Sequence, residues 1–302
     1  MKTVASAGLV AAALAVGTAA FAAAGLARLT FLAAVYADNT EAGLHLPQGV
    51  AWGAKGLVVV GDTGNDRLVT FTFRDKVLGP ASAVKIPQLT APTRVQLNSK
   101  GEIYALDGRQ RRIVHLDPAG RFKEFVSFEG APPPAPIVPK SFAIDAADNL
   151  CVLDEFSARV LVVDAQGKFQ RALALPADIG FATDLAVDFE GNILLIDSVK
   201  RRIFSAAKDA KAFAQIGGPL TASVATMPTS ITASRGILFV AEGSGGTIDA
   251  FGRDGKFLSR MLTMGWTEGL LNHPSQLCVS DKDEVFVADR DNSRVQVFQL
   301  TR

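Results

Sequence analysis

The chain has little of the material from which many functional sites are built. Its 302 residues include two cysteines and three histidines. That is too few for a disulfide framework or a four-cysteine zinc site, and it leaves little for a multi-histidine metal centre. No Cys-x-x-Cys-His motif is present, which excludes c-type haem attachment. Charge of one sign is also lacking. Lys+Arg number 31 against 30 Asp+Glu, so bulk charge points to neither a nucleic-acid binder nor an acidic tail. There is no phosphate-binding glycine loop, no nucleophile elbow and no metalloprotease helix motif. No cofactor is expected.

What the chain does have is apolar residues, 48% of the total, enough to bury a large core and too many for disorder. One long apolar run stands apart. Ala5 to Ala24 is alanine-rich, Lys2 precedes it, and the first acidic residue is Asp38. Small residues at Ala20-Phe21-Ala22-Ala23-Ala24 fit a cleavage site, so residues 1–24 read as a bacterial signal peptide. The mature chain, residues 25–302, is expected to be periplasmic or secreted, a monomer, and free of the membrane once the leader is removed. No cysteine follows the run, which excludes a lipoprotein anchor.

After that run no window keeps a helical period; runs of about five apolar and β-branched residues alternate with Gly, Asp and Pro, which is a strand pattern. Self-comparison shows why. An acidic residue followed five positions later by a basic one recurs between two apolar runs. The copies are Asp62-Thr-Gly-Asn-Asp-Arg67, Asp107-Gly-Arg-Gln-Arg-Arg112, Asp154-Glu-Phe-Ser-Ala-Arg159, Asp197-Ser-Val-Lys-Arg-Arg202 and Asp289-Arg-Asp-Asn-Ser-Arg294. A degenerate copy is Glu242-Gly-Ser-Gly-Gly-Thr247, and successive starts lie 45, 47, 43, 45 and 47 residues apart. The units open near 47, 92, 139, 182, 228 and 274, at a proline in every unit except the fourth, which has Ala182.

Each unit reads as four short strands, a to d. Strand b ends at the acid and strand c begins at the arginine. Units of this length and make-up indicate an all-β, six-bladed β-propeller with four-stranded antiparallel blades. The sixth unit stops after strand c. Its strand d is expected from the other end of the chain, Arg28 to Ala37, which closes the ring and removes the open sheet edges.

Three stretches carry a family resemblance: Pro47-Gln-Gly-Val-Ala51, Val287-Ala-Asp289 and Asn292-Ser-Arg-Val-Gln-Val-Phe298. They resemble NHL repeats, and the likeness runs over about residues 29 to 302. It implies the propeller fold; for function it implies a family whose members include RNA binders, protein binders, sensor domains and a few lyases.

The repeated Asp–Arg pair is read as structural, because a motif repeated around a ring does the same work in each blade. The aspartate accepts turn N–H groups and the arginine bridges to a neighbouring acid or carbonyl. The histidines do not match the zinc-binding pattern of a related peptidyl-hydroxyglycine lyase family. His115 takes an ordinary strand c position, and His45 and His273 fall in d–a loops of adjacent blades 1 and 6. Cys151 and Cys278 belong to opposed blades and are expected to be unpaired thiols.

The d–a and b–c loops are expected to open on one face, around the end of the central channel. Two rings of polar residues follow the proline position. The outer holds Gln48, Thr93, Lys140, Thr183, Thr229 and Ser275; the inner holds Gly49, Arg94, Ser141, Asp184, Ser230 and Gln276. Below them Val50, Val95, Phe142, Leu185, Ile231 and Leu277 form an apolar ring, where solvent gives way to core. The expected binding residues are Gln48, Arg94, Lys140, Asp184 and Gln276 at the mouth, with Arg109 and Arg201 in basic b–c loops and Trp266 in the blade 5–6 loop. The expected function is a non-catalytic scaffold for a protein, peptide or small ligand, with no nucleic-acid partner. The alternative is a metal-dependent lyase or lactonase at the channel mouth, built on Asp184 with help from Arg94, His273 or His45; Thr183-Asp-Leu-Ala-Val-Asp188 resembles a strand of the gluconolactonase-type lactonases.

Overall fold

A computed structural model describes residues 27–218, 220 and 227–302. The expected leader, 1–24, lies outside them. Six antiparallel sheets form the blades of a propeller. Blade 3 shows the pattern: Pro139–Ile144, Leu150–Asp154, Arg159–Val163 and Phe169–Ala174 pair in that order. In blade 1 the outermost position is shared by two short strands, Val77–Leu78 and Ser82–Val84, both paired to Arg67–Arg74.

The ring closes as the sequence implies. Arg28–Val35 pairs antiparallel with Arg294–Thr301, from Arg28 opposite Thr301 to Val35 opposite Val295. One blade thus holds both ends of the described chain: Arg28–Val35 covers the outer side of Arg294–Thr301 and is itself the outermost strand of that blade.

Hydrophobic burial explains why the strand b runs are continuously apolar. All five residues of Ile193–Asp197 are buried, because both faces of the sheet pack against neighbouring blades. The core is divided into six clusters, one in each slot between adjacent blades. Phe73 and Phe286, for example, meet edge to face at 5.6 Å across the blade 1–6 slot.

The repeated acid and its partner face each other across every b–c hairpin: Asp62 with Arg67, Asp107 with Arg112, Asp154 with Arg159, Asp197 with Arg202, Glu242 with Thr247 and Asp289 with Arg294. Four of the pairs are ion pairs at 2.7 to 3.1 Å, in blades 1, 3, 4 and 6. The aspartate also accepts a backbone N–H from the segment that enters its own blade: His45 on Asp62, Thr90 on Asp107, Val138 on Asp154, Gly180 on Asp197, Asn272 on Asp289. Each latch therefore ties a d–a loop to a b–c turn. Burial raises the Asp197 carboxyl, but N–H groups from Gly180, Lys200 and Phe181 outweigh it and hold the group below the usual carboxylate range.

Blade 2 departs from the pattern. Arg112 donates to the Gln88 carbonyl and stacks 3.9 Å over the Phe125 ring instead of pairing with Asp107. Both cysteines are free, and burial pushes each thiol up to about 12.

Candidate functional site at the channel mouth

A β-bulge recurs at the start of strand a. The pairing register skips a residue between Pro92 and Arg94, Pro139 and Ser141, Ala182 and Asp184, and Pro228 and Ser230. The skipped residues are Thr93, Lys140, Thr183 and Thr229, the outer polar ring. A bulge frees a residue from the ladder and re-aims its side chain. Here all four line one cavity of about 360 Å³ at the channel end, together with Gln48 and Ser275.

The inner ring forms the floor, and most of its polar groups are occupied within the protein. Arg94 pairs with Asp184 at 2.5 Å and donates to the carbonyls of Phe142 and Leu185, so one side chain joins blades 2, 3 and 4. Asp184 accepts from the Ser141 hydroxyl and the N–H groups of Leu185 and Ile231, reaching blades 3 and 5. Gln276 accepts from the N–H of Val50 and of Val95 and donates to the Val95 carbonyl, joining blade 6 to blades 1 and 2. A Cβ on Gly49 would lie 2.8 Å from Val95 Cγ2, so only glycine fits at that point of the ring. Arg94, Asp184 and Gln276, expected to contact a ligand, thus make a hydrogen-bonded plug across the channel. A buried charge pair that is fully hydrogen-bonded costs far less than either ion alone.

In the outer ring Thr93, Thr229 and Ser275 donate their hydroxyls to the carbonyls of Leu106, Pro274 and Gln48, which leaves Gln48, Lys140 and Thr183, with the turns above, to meet a ligand. Lys140 is half-buried, 4.0 Å from Glu155 and 5.0 Å above the Phe181 ring. Burial, and after it the Arg111 charge, lower its ammonium pKa. Arg111 pairs with Glu155 of the next blade. His273 pairs with Asp291 at 3.0 Å, and Arg290 also lines the cavity. With Arg94 and Asp184 paired to each other, the lining offers Lys140, Arg111 and Arg290, with Glu155 and Asp291 beside them outside the lining. It therefore suits an anionic or hydrogen-bond-accepting group.

Of the other expected residues, Arg109, Arg201 and Trp266 do not line the cavity. Arg109 is exposed and pairs with Asp66 at 3.5 Å. Arg201 is exposed at the end of its turn. Trp266 is 77% exposed on the blade 5–6 loop. Arg111, Thr183 and Arg290 line the mouth although none was singled out as a binding residue, and His273, named only as a helper in the metal-dependent alternative, lines it too. For Thr183 the sequence held a signal, its place in the polar ring. For Arg111 it did not, because Arg201, at the same place in the blade 4 turn, lies outside the lining; Arg290 shares its place in the turn with the lining residues Gly108 and Gly243.

A divalent cation, as in the gluconolactonase-type enzymes, does not suit these donors. Both Asp184 oxygens are taken by protein groups. Among the described residues no three His, Cys, Asp or Glu side chains are gathered for a metal ion. His45 packs against Gly64, where a Cβ would lie 2.4 Å from its Nδ1, and His115 is buried in blade 2.

The architecture defines a six-bladed propeller of repeated four-stranded units, and residues 271–298 match the NHL repeat family. No curated protein sequence matches the chain. Among solved structures it is similar to a streptogramin B lyase, at 15% identity and a TM-score of 0.62, over 91% of this chain and 97% of that one. A catalytically inactive virginiamycin B lyase from Staphylococcus aureus, with quinupristin, is similar at 14% identity and 0.65, over 91% and 100%. A putative gluconolactonase is similar at 17% identity and 0.63, over 91% and 92%. At such identities the likeness is one of fold.

Proposed function

We propose that this protein is an exported, non-catalytic binding scaffold that receives a protein or peptide partner on its loop face, with an anionic or carbonyl-rich group seated at the channel mouth. The observation that carries this reading is the division of labour between the rings. The inner ring spends its charges on the plug, while the bulged outer ring presents Lys140 and Thr183 toward the cavity with Arg111 above them. A rigid frame with a polar, cationic recess is a binding geometry. The enzyme reading, a metal-dependent lyase or lactonase, draws on the names of fold neighbours, and the donor set at Asp184 does not favour it.

The test is capture of partners by the tagged mature chain from its own exported compartment, beside a Lys140→Glu/Thr183→Val variant. Both changes sit on the solvent side of the plug, so the fold is expected to survive. A specific companion present with the parent and absent with the variant supports the scaffold. Turnover of a small substrate by the parent, with no companion, overturns it.

A further inference from the structure

The loop face is chemically lopsided. In blades 2, 3 and 4 the b–c turns read Gly108-Arg-Gln-Arg111, Glu155-Phe-Ser-Ala158 and Ser198-Val-Lys-Arg201: four cations and one carboxylate. Lys140 adds a fifth cation from the bulge of blade 3. The turns of blades 5, 6 and 1 read Gly243-Ser-Gly-Gly246, Arg290-Asp-Asn-Ser293 and Thr63-Gly-Asn-Asp66: one cation and two carboxylates.

The basic half also carries exposed apolar side chains: Phe156 at 57%, Phe181 at 40% and Val199 at 67%. They belong to one surface. Arg111 and Lys140 both approach Glu155, the neighbour of Phe156. Lys140 lies over Phe181, whose carbonyl accepts from Ser198 N–H. A Cβ on Gly180 would lie 2.9 Å from Val199 and 3.1 Å from Lys200, so the two loops are in contact. The surface runs from Arg109 and Arg111 through Lys140 and Phe181 to Val199, Lys200 and Arg201, with cations and apolar groups interleaved.

Resting on the scaffold reading, we propose that this half-face is the docking site for a partner segment in which acidic and apolar side chains alternate. The charge is complementary to carboxylates, and the interleaved phenylalanines and valine call for apolar neighbours to those carboxylates. Residues 1–37 of this chain, which contain no acid, lack the chemistry of such a segment. Nucleic acid fits the surface less well, because Glu155 sits in the middle of it and the apolar groups include an aliphatic residue with no ring to stack on a base.

The experiment measures fluorescence anisotropy of short, capped, labelled peptides of alternating Glu and Leu, alternating Lys and Leu, and alternating Glu and Ser, on the mature protein. A Lys200→Glu/Arg201→Glu variant and a Phe156→Ser/Val199→Ser variant are measured beside it; all four side chains are on exposed turns. The expected result is binding of the Glu–Leu peptide that weakens with salt, at least about tenfold weaker binding of the other two peptides, and a loss of about tenfold in either variant. The charge-reversed variant, with three cations against three carboxylates, is expected to lose the preference for the Glu–Leu over the Lys–Leu peptide. Indifference to peptide charge, or unchanged affinity in both variants, overturns the proposal. So does tighter binding of a labelled single-stranded oligonucleotide, or self-association of the parent that the same charge reversal abolishes. In the capture experiment above, a companion retained by the Lys200→Glu/Arg201→Glu variant but lost by the mouth variant sinks this proposal and leaves the scaffold standing.

Discussion

Blades 5 and 6 are neighbours with the same strand order, but their latches are opposites. In blade 6 Asp289 is fully buried and accepts from Asn272 N–H, Arg294, Asn292 and Gln296. Arg294 carries on to the carbonyls of Thr267 and Leu270 in the entering loop. In blade 5 the acid is Glu242, only 1% exposed, and neither carboxylate oxygen has a hydrogen-bond partner among the described residues. The arginine is replaced by Thr247, whose hydroxyl is likewise without a partner among them. The nearby cation, Arg260, is held by Asp249 through two contacts of 2.7 Å. Burial, and after it the Asp249 charge, push the Glu242 carboxyl up to about 8. One latch is thus a satisfied ion pair; the other is a buried acid with no counter-charge of its own among the described residues, which favours its neutral form. An ion pair in a buried site works only when every bond is made.

The contrast is broken most forcefully at blade 6. Asp289→Ala leaves Arg294 charged and buried, and the expected loss is about 3–5 kcal/mol in urea unfolding. A loss under about 1 kcal/mol would mean that the latch is ornamental. The next effect in size is the pH response of blade 5. The folded value of Glu242, about 8, exceeds its unfolded value, 4.5, so the fold takes up a proton. Its contribution is complete below pH 4.5 and is lost as pH rises toward 8. Glu242→Gln removes that dependence, so the variant is expected to gain on the parent between pH 6 and 9 by the order of a few kcal/mol. Parallel stability–pH curves for the two proteins would show that Glu242 is ionised in the fold. The smallest effect is expected in blade 2, whose arginine is not paired to its aspartate. Arg112→Met is expected to cost roughly 1 kcal/mol, against about 3–5 kcal/mol for Arg294→Met, which leaves the buried Asp289 carboxylate without its counter-charge. Equal losses would erase the distinction between paired and unpaired latches.

The repeat by itself determines much of this protein. Acid-to-base spacing, the opening prolines and the apolar strand b runs are local signals, and each follows from pairing within one hairpin or burial between two sheets. They are enough for six blades, for the register of each acid opposite its partner, and for the closing strand at Arg28. The polar outer ring was legible for the same reason, since it occupies the same place in every repeat.

Tertiary structure alone decided what the inner ring does. Arg94 meets the Leu185 carbonyl 91 residues away, and Gln276 meets Val95 across 181 residues. Those contacts depend on the width of the channel and on which side chain is long enough to cross it, quantities that no repeat period encodes. A polar residue at a given place in the repeat reads the same whether it faces solvent or a counter-charge from another blade. Only closing the ring brings Arg94 to Asp184, turns the expected ligand contacts into a plug, and leaves the bulged residues above it to face the cavity.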